Sequence, residues 1–202
     1  MDSNVRRYSH KTMGFSRVLI ANRGEIALRI LRSLRTMGIE VAIIHGREDR
    51  TSLPVRLSDY AVPIYREDPL QSYLDIEAVV EAAKSVRADA VHPGYGFLAE
   101  NPVFASRLKD EGIVFIGPSS EVLELLGDKI QARSTMAAAG LPVAGGSDLP
   151  VENPDEANLI ASEIGYPVII KAAAGGGGIG MQVVVSQDCL LYTSPSPRDL
   201  YQ

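Results

Sequence analysis

Between residues 15 and 117 the apolar positions alternate between two spacings. RVLIA at residues 17–21 is a short apolar run with β-branched members, the pattern of a strand buried on both faces. It is followed by Asn22-Arg23-Gly24-Glu25 and then by Ile26, Ile30, Leu31, Leu34 and Met37, whose spacing predicts one face of a helix. Gly38 stands where a helix end takes a left-handed residue. IEVAII at residues 39–44 is a second buried strand, which makes residues 17–44 a βαβ unit. Further on, Ser72 is placed to cap a helix running to about residue 86, with Asp75 in its first turn and Leu74, Ile76, Val79 and Val80 on its apolar face. Residues 89–92 then read as a strand end, 101–110 as a helix and 113–116 as a strand. Strands alternating with helices predict an α/β fold with a mostly parallel sheet covered on both faces.

Gly117-Pro118 interrupts this pattern and marks the expected domain boundary. Residues 119–139 read as largely helical, with Asp128 after Gly127 starting a second segment that ends at Gly140. Pro142, Gly145, Gly146 and Pro150 predict a loop, and Asn153-Pro154 the cap and first position of a helix ending near Gly165. VIIK at 168–171 and MQVVV at 181–185 then read as strands flanking a glycine-rich turn.

The chain has 202 residues, 46% of them hydrophobic, with 20 basic and 25 acidic side chains for a formal net charge of −5. No apolar run reaches the roughly 20 residues that cross a bilayer, and the acidic balance argues against a nucleic-acid partner. One cysteine, Cys189, excludes an internal disulfide and points to a reducing, cytoplasmic setting. Residues 1–14 carry Arg6, Arg7, His10 and Lys11 but no apolar stretch, and Asp2 counts against a transit peptide, so a disordered leader is expected there.

Two glycine-bearing loops invite a nucleotide reading. The first has only Gly24 instead of G-x-G-x-x-G, and His45 stands where a ribose-binding acid would end the second strand. NAD is therefore not expected, and the loop reads as a tight strand-to-helix turn with a structural or interface role for Arg23 and Glu25. The second, KAAAGGGGIGM, begins on Lys171, runs through Gly175, Gly176, Gly177 and Gly178, and ends with Gly180 before the next strand. Lysine before the glycines rules out the G-x-x-x-x-G-K-[ST] loop. A glycine run between strands can close backbone N–H groups over phosphate oxygens, which a side chain would hold away, while the lysine adds a point positive charge. On the loop alone, a flexible hairpin with no ligand is the competing reading.

VLIANRGEIALRILRSLRTMGIE, HPGYGFLAENPVFA, FIGPSSEVLELLGDKIQAR and GYPVIIKAAAGGGGIGM, in this order and at compatible spacing, resemble successive signature blocks of biotin carboxylase. This is the ATP-grasp component of acetyl-CoA, propionyl-CoA and pyruvate carboxylases, and the resemblance runs over about residues 15–187. It implies a Rossmann-like domain over 15–118 and part of an ATP-grasp domain over 119–187. It also implies ATP, Mg2+ held by ligands further along the polypeptide, and biotin as a carrier-bound substrate. ATP binding falls on Lys129, Lys171, the Gly175, Gly176, Gly177, Gly178 and Gly180 lid, and Met181. Tyr95 matches a tyrosine beside the bicarbonate and biotin pocket, on a loop that also holds His92 and Glu100. Arg29 and Arg32 match interface arginines of a homodimer. The implied partners are a biotin carboxyl carrier protein or domain and a carboxyltransferase subunit.

Read without the resemblance, Lys129 is a solvated helix residue, His92 a satisfied residue at a strand end without a catalytic role, and Arg29 and Arg32 an exposed basic face. Tyr95 differs, because it lies between two glycines on a loop leaving a strand C-terminus, where α/β sheets place ligands. Ile179 stands where some family members have arginine, and Ala174 where a further glycine is found. After Gln187 the family pattern stops. Pro195 and Pro197 are expected to preclude the helix that would follow, and LLYTSPSPRD in 188–202 reads as translated sequencing-adapter DNA. A chain lacking the family's metal-binding glutamates and catalytic base is expected to be inactive by itself. The resemblance leaves the carboxyl acceptor open, acetyl-CoA for fatty acid biosynthesis being one choice. The competing functions are another ATP-grasp carbon–nitrogen ligase and a noncatalytic dimerisation or folding module.

Overall fold

The computed structural model describes residues 14–147, 150–151, 153–171 and 181–193, with backbone only for 129 and 191–193. They fall into two compact units divided between Glu124 and Leu125.

The first unit is built on a parallel sheet of order β3-β2-β1-β4-β5, comprising β1 (Arg17–Ile20), β2 (Glu40–His45), β3 (Tyr60–Pro63), β4 (Ala90–His92) and β5 (Val114–Phe115). The expected doubly covered α/β sheet is realised. Val18 pairs with Val41 on one side and Ala90 on the other. The pleat sends Val18, Ile20, Val41 and Ile43 into a core shared with Ile30, Leu31 and Leu34 of α1 (Gly24–Thr36). Leu19, Ala42, Ile44 and Val91 pack on the opposite face with Val79, Val80, Phe104 and Leu108, which come from α4 (Ile76–Ser85) and α5 (Pro102–Asp110). All these positions are buried, which is why β1 and β2 read as continuous apolar runs.

Helix ends account for the handedness of several turns. After α1, Gly38 has φ +73, its N–H bonds Arg35 O, and the Ile39 N–H bonds Leu34 O at 3.0 Å, a Schellman motif closed by the Ile39–Leu34 apolar contact. The same pair of bonds follows α4, but there the left-handed residue is Arg87, at φ 52.

Three expectations are corrected. Ser72 does not cap the helix reaching residue 85, because the chain breaks into α3 (Gln71–Leu74) and α4 at Asp75. The Asp75 carboxylate accepts the Ala78 N–H at 2.9 Å and pairs with Arg66, a stronger cap than a serine hydroxyl. Ser72 is buried, with no hydrogen-bond partner for its hydroxyl among the described residues. In addition, α2 (Leu53–Leu57) and the edge strand β3 were not expected from the pattern. The first is barely more than one turn, and β3 is largely exposed, so neither presents an apolar period.

In the second unit, α7 (Lys129–Ala138) starts at Asp128, whose side chain accepts the N–H groups of Ile130 and Gln131. α6 (Ser120–Gly127) precedes it and contains the division. α8 (Pro154–Ile164) starts at Asn153, which accepts the Glu156 N–H at 2.9 Å. β6 (Val168–Lys171) pairs antiparallel with β7 (Met181–Val184). Ala161, Val184 and Leu190 form a small core with Val168 and Ile170 alongside. Leu190 belongs to α9 (Gln187–Thr193), the third correction. A helix does follow Gln187: its described residues all precede Pro195, whose ring obstructs only a helical turn that includes it.

Candidate functional site

Two places carry most of the chemistry, one in each unit, with Arg29 and Arg32 on α1 and Lys129 on α7 apart from them. In the first, the strand order reverses between β1 and β4, and the crevice beyond their C-terminal ends is where open α/β sheets bind ligands. Asn22 leaves β1 there and Pro93 leaves β4. The Asn22 Nδ2 donates to the carbonyls of Pro93 at 2.7 Å and Tyr95 at 2.9 Å, and its Oδ1 accepts the Arg23 N–H at 2.8 Å. The His92 Nδ1 accepts the Gly94 N–H at 3.0 Å, which places the ring proton on Nε2. Burial holds the His92 imidazole below the usual histidine range, in keeping with that neutral form. Its role is to satisfy a turn, as expected.

Beside this loop, Arg23 grips Asp49 through two bonds of 2.7 and 2.9 Å. The Tyr73 hydroxyl donates to Asp49 at 2.6 Å and accepts the Gly46 N–H at 3.0 Å. The Tyr73 ring stacks on Phe97 at 5.1 Å. Burial opposes ionisation of Asp49, but the Arg23 and Tyr73 hydrogen bonds outweigh it and hold the carboxyl below the usual range. Burial, and then the bond to Asp49, push the Tyr73 hydroxyl well above the ordinary tyrosine range, so it remains a donor. Tyr95 itself is 68% exposed, between Gly94 and Gly96, both at φ +70. Asn22, Asp49 and Tyr73 were missed by sequence reasoning, since their partners lie 24 to 73 residues away and no spacing encodes them.

In the second unit, the register pairs Lys171 with Met181 and Ile169 with Val183. Alternation puts these four on one face of the hairpin, and all four are exposed. The opposite face, with Val168 and Val184, packs on Ala161 and Leu190. Thus an ammonium group and a thioether stand side by side where the strands join the glycine run, with aliphatic surface behind them. Gly175, Gly176, Gly177, Gly178 and Gly180 lie outside the described residues. Lys129 opens α7, beside Asp128, whose side chain already takes the N–H groups of Ile130 and Gln131; the Lys129 side chain is not described. Arg29 and Arg32 are exposed on α1, one turn apart and away from the sheet, and Arg29 donates to the Ser33 hydroxyl. Among the described residues no three His, Cys, Asp or Glu side chains come together in a way that would hold a metal ion. None of the described helices is long and apolar enough to cross a membrane.

Comparison with known proteins bears on both places. Residues 14–123 match the family described as biotin carboxylase, N-terminal domain. Residues 128–196 match the carbamoyl-phosphate synthase L chain, ATP binding domain. The chain is 47% identical over 186 residues to a pyruvate carboxylase subunit of Methanothermobacter thermautotrophicus, covering 92% of this chain and 38% of the relative. It is 49% identical over 183 residues to biotin carboxylase of Pseudomonas aeruginosa, covering 90% and 41%. The solved biotin carboxylase–β,γ-ATP complex of Campylobacter jejuni superposes with a TM-score of 0.84 at 44% identity, covering 89% of this chain and 40% of that one. The biotin carboxylase domain dimer of Hydrogenobacter thermophilus 2-oxoglutarate carboxylase, in complex with MgADP, ADP and bicarbonate, gives 0.83 at 45% identity, covering 88% and 39%. The chain thus spans about two fifths of the length of these relatives.

Proposed function

The chain belongs to the biotin carboxylase family, and from that premise we propose that it is the N-terminal part of an enzyme that uses MgATP and bicarbonate to carboxylate biotin on a carrier protein. The observation that carries this reading is the exposed hairpin face on which Lys171 and Met181 are paired beside Ile169 and Val183. Aliphatic surface suits the flat face of a purine, and the ammonium group suits its phosphates. Lys171 and Lys129 would oppose charge on the phosphoryl group as it is transferred to bicarbonate. Gly175, Gly176, Gly177, Gly178 and Gly180 would close over it and exclude water.

The Mg2+ ligands would lie in the portion of the family's polypeptide that this chain does not cover. Tyr95 would border the bicarbonate and biotin pocket. Arg29 and Arg32 would face a second copy across a homodimer. A carrier protein and a carboxyltransferase complete the assembly in the cytoplasm, and the carboxyltransferase chooses the acceptor, acetyl-CoA or another. These residues alone would not turn over.

The test is ATP hydrolysis by the full-length gene product. Hydrolysis that requires bicarbonate and rises with free biotin is expected. Hydrolysis indifferent to biotin would overturn the reading in favour of another ATP-grasp carbon–nitrogen ligase, a class that the match of residues 128–196 to a carbamoyl-phosphate synthase domain keeps in view. Sedimentation of wild type beside Arg29→Glu separates the dimer from a monomer.

A further inference from the structure

Asn22 is only 2% exposed, yet both of its amide hydrogens go to backbone carbonyls of another loop, those of Pro93 and Tyr95. These carbonyls flank Gly94, which turns through φ +70 directly over the Asn22 side chain. A Cβ at Gly94 would fall 2.6 Å from the Asn22 Nδ2 and 2.8 Å from the Ile26 Cγ2. With the Gly94 N–H taken by His92, one backbone group in each of three consecutive residues is tied down. The far end of the same loop is held at Phe97, which stacks on Tyr73. Tyr73 is fixed through Asp49 to Arg23, the residue next to Asn22. One dipeptide at the exit of β1 thus commands both ends of the loop.

What this loop presents is the exposed ring of Tyr95. A glycine-flanked loop tip is ordinarily free to move, and the fold gains little from immobilising an exposed side chain. A buried amide that makes both its donor bonds to the segment carrying a solvent-facing aromatic residue is the arrangement that pre-organises a binding group. A capping role does not account for it, since the α1 N-cap is Arg23 and receives only the Asn22 Oδ1 bond to its N–H.

We infer that Asn22 is a positioning residue, which fixes the backbone of residues 93–95 so that Tyr95 meets biotin in one orientation. The inference rests on the proposed placement of Tyr95 at the biotin pocket. Asn22→Asp isolates it: the retained oxygen still accepts the Arg23 N–H, while the second oxygen faces two carbonyls that it repels. In the full-length enzyme, Asn22→Asp should lower kcat/KM for free biotin roughly 10- to 100-fold, with the KM for ATP unchanged. In a Tyr95→Ala background the same substitution should add little, because it acts through Tyr95. Asn22→Ala, which frees the carbonyls without adding charge, should give the same split and serves where Asn22→Asp does not fold.

Wild-type biotin kinetics in the Asn22 variants beside an impaired Tyr95→Ala would overturn the latch alone. Unaltered biotin kinetics in Tyr95→Ala would overturn the pocket placement, and the positioning role with it. Equal losses for biotin and ATP, tracking a fall in melting temperature, would reduce Asn22 to a structural residue.

Discussion

The loop after β4 and the connection after β6 both carry glycines beside a residue proposed to meet a ligand, but the glycines do opposite work. At Gly94 there is no room for a side chain, because Asn22 and Ile26 press against the position a Cβ would take. The glycine there permits close approach, and the result is a fixed backbone. Around Lys171 and Met181 the strands are covered on one face only, and their core is three buried residues with partly buried neighbours. The glycine run that follows in sequence is proposed to let a backbone close on phosphates. The first region presents a ring from a rigid scaffold, and the second presents a charge from a thin one.

If that contrast is right, stability and activity should respond separately. The largest effect is expected from Phe104→Ala, because Phe104 is fully buried between α5 and the sheet and meets Phe115 edge-on at 5.9 Å. Its loss should cost about 3–5 kcal/mol, read as faster amide exchange in β1 and β4 and an earlier urea midpoint. Leu190→Ala, beside neighbours free to relax, should cost nearer about 2 kcal/mol. Equal losses would mean that the second core is as tightly packed as the first.

Next comes Lys171→Ala in the full-length enzyme. Removing a single charge stabiliser at a transferring group should lower kcat/KM for ATP roughly 10²- to 10³-fold. Because Lys171 is exposed and its pleat neighbours hold the hairpin, the melting temperature should stay within a degree or two, in line with surface substitutions worth about 0.5 kcal/mol. Unchanged bicarbonate-dependent hydrolysis would sink the nucleotide assignment. A large thermal loss would show that the exposed face also carries the fold.

The contrast also explains what the sequence could and could not reveal. β1, α1 and β2 are legible because Val18 through Ile20 and Val41 through Ile44 are buried on both faces, so burial is written into the residues themselves. The Lys171–Met181 pairing is legible for a similar reason, two apolar runs around glycines. The edge strand β3 is not, because Tyr60 and Ala61 are exposed and Pro63 closes it. The Asn22 latch is illegible because a donor at residue 22 and acceptors at 93 and 95 share no period. Asp75 shows a subtler failure. Ser72 and Asp75 both have cap chemistry three residues apart, and the carboxylate that caps at Asp75 is also paired with Arg66, a partner that no local spacing encodes.

Asp75 yields the third prediction, within the rigid region. The Ala78 N–H, and then Arg66, hold its carboxyl below the usual range. A carboxyl depressed on folding adds stability above the unfolded pKa and loses it as pH falls through the folded value. Asp75→Ala should therefore cost about 1 kcal/mol at neutral pH, and the penalty should shrink below about pH 4. Urea midpoints at pH 7 and pH 3 check both signs. A penalty independent of pH would assign the effect to helix packing rather than to the cap.

The smallest effect tests whether a rigid region is optimal everywhere. Gly38 and Arg87 occupy the same left-handed position after α1 and α4, with the same two closing hydrogen bonds. Arg87 holds a conformation that costs a side-chain-bearing residue about 1 kcal/mol or more, whereas glycine adopts it freely at some expense in unfolded-chain entropy. Arg87→Gly should therefore stabilise the first unit by a few tenths of a kcal/mol up to about 1, visible as a later urea midpoint with no change in m-value. Activity should be untouched, since α4 ends far along the sheet from Tyr95, at the N-terminal edge of β4 where Val86 and Arg87 turn into Ala88. A loss of stability would mean that the Arg87 side chain contributes contacts outweighing its backbone strain, and that the close packing of this unit extends to its surface turns.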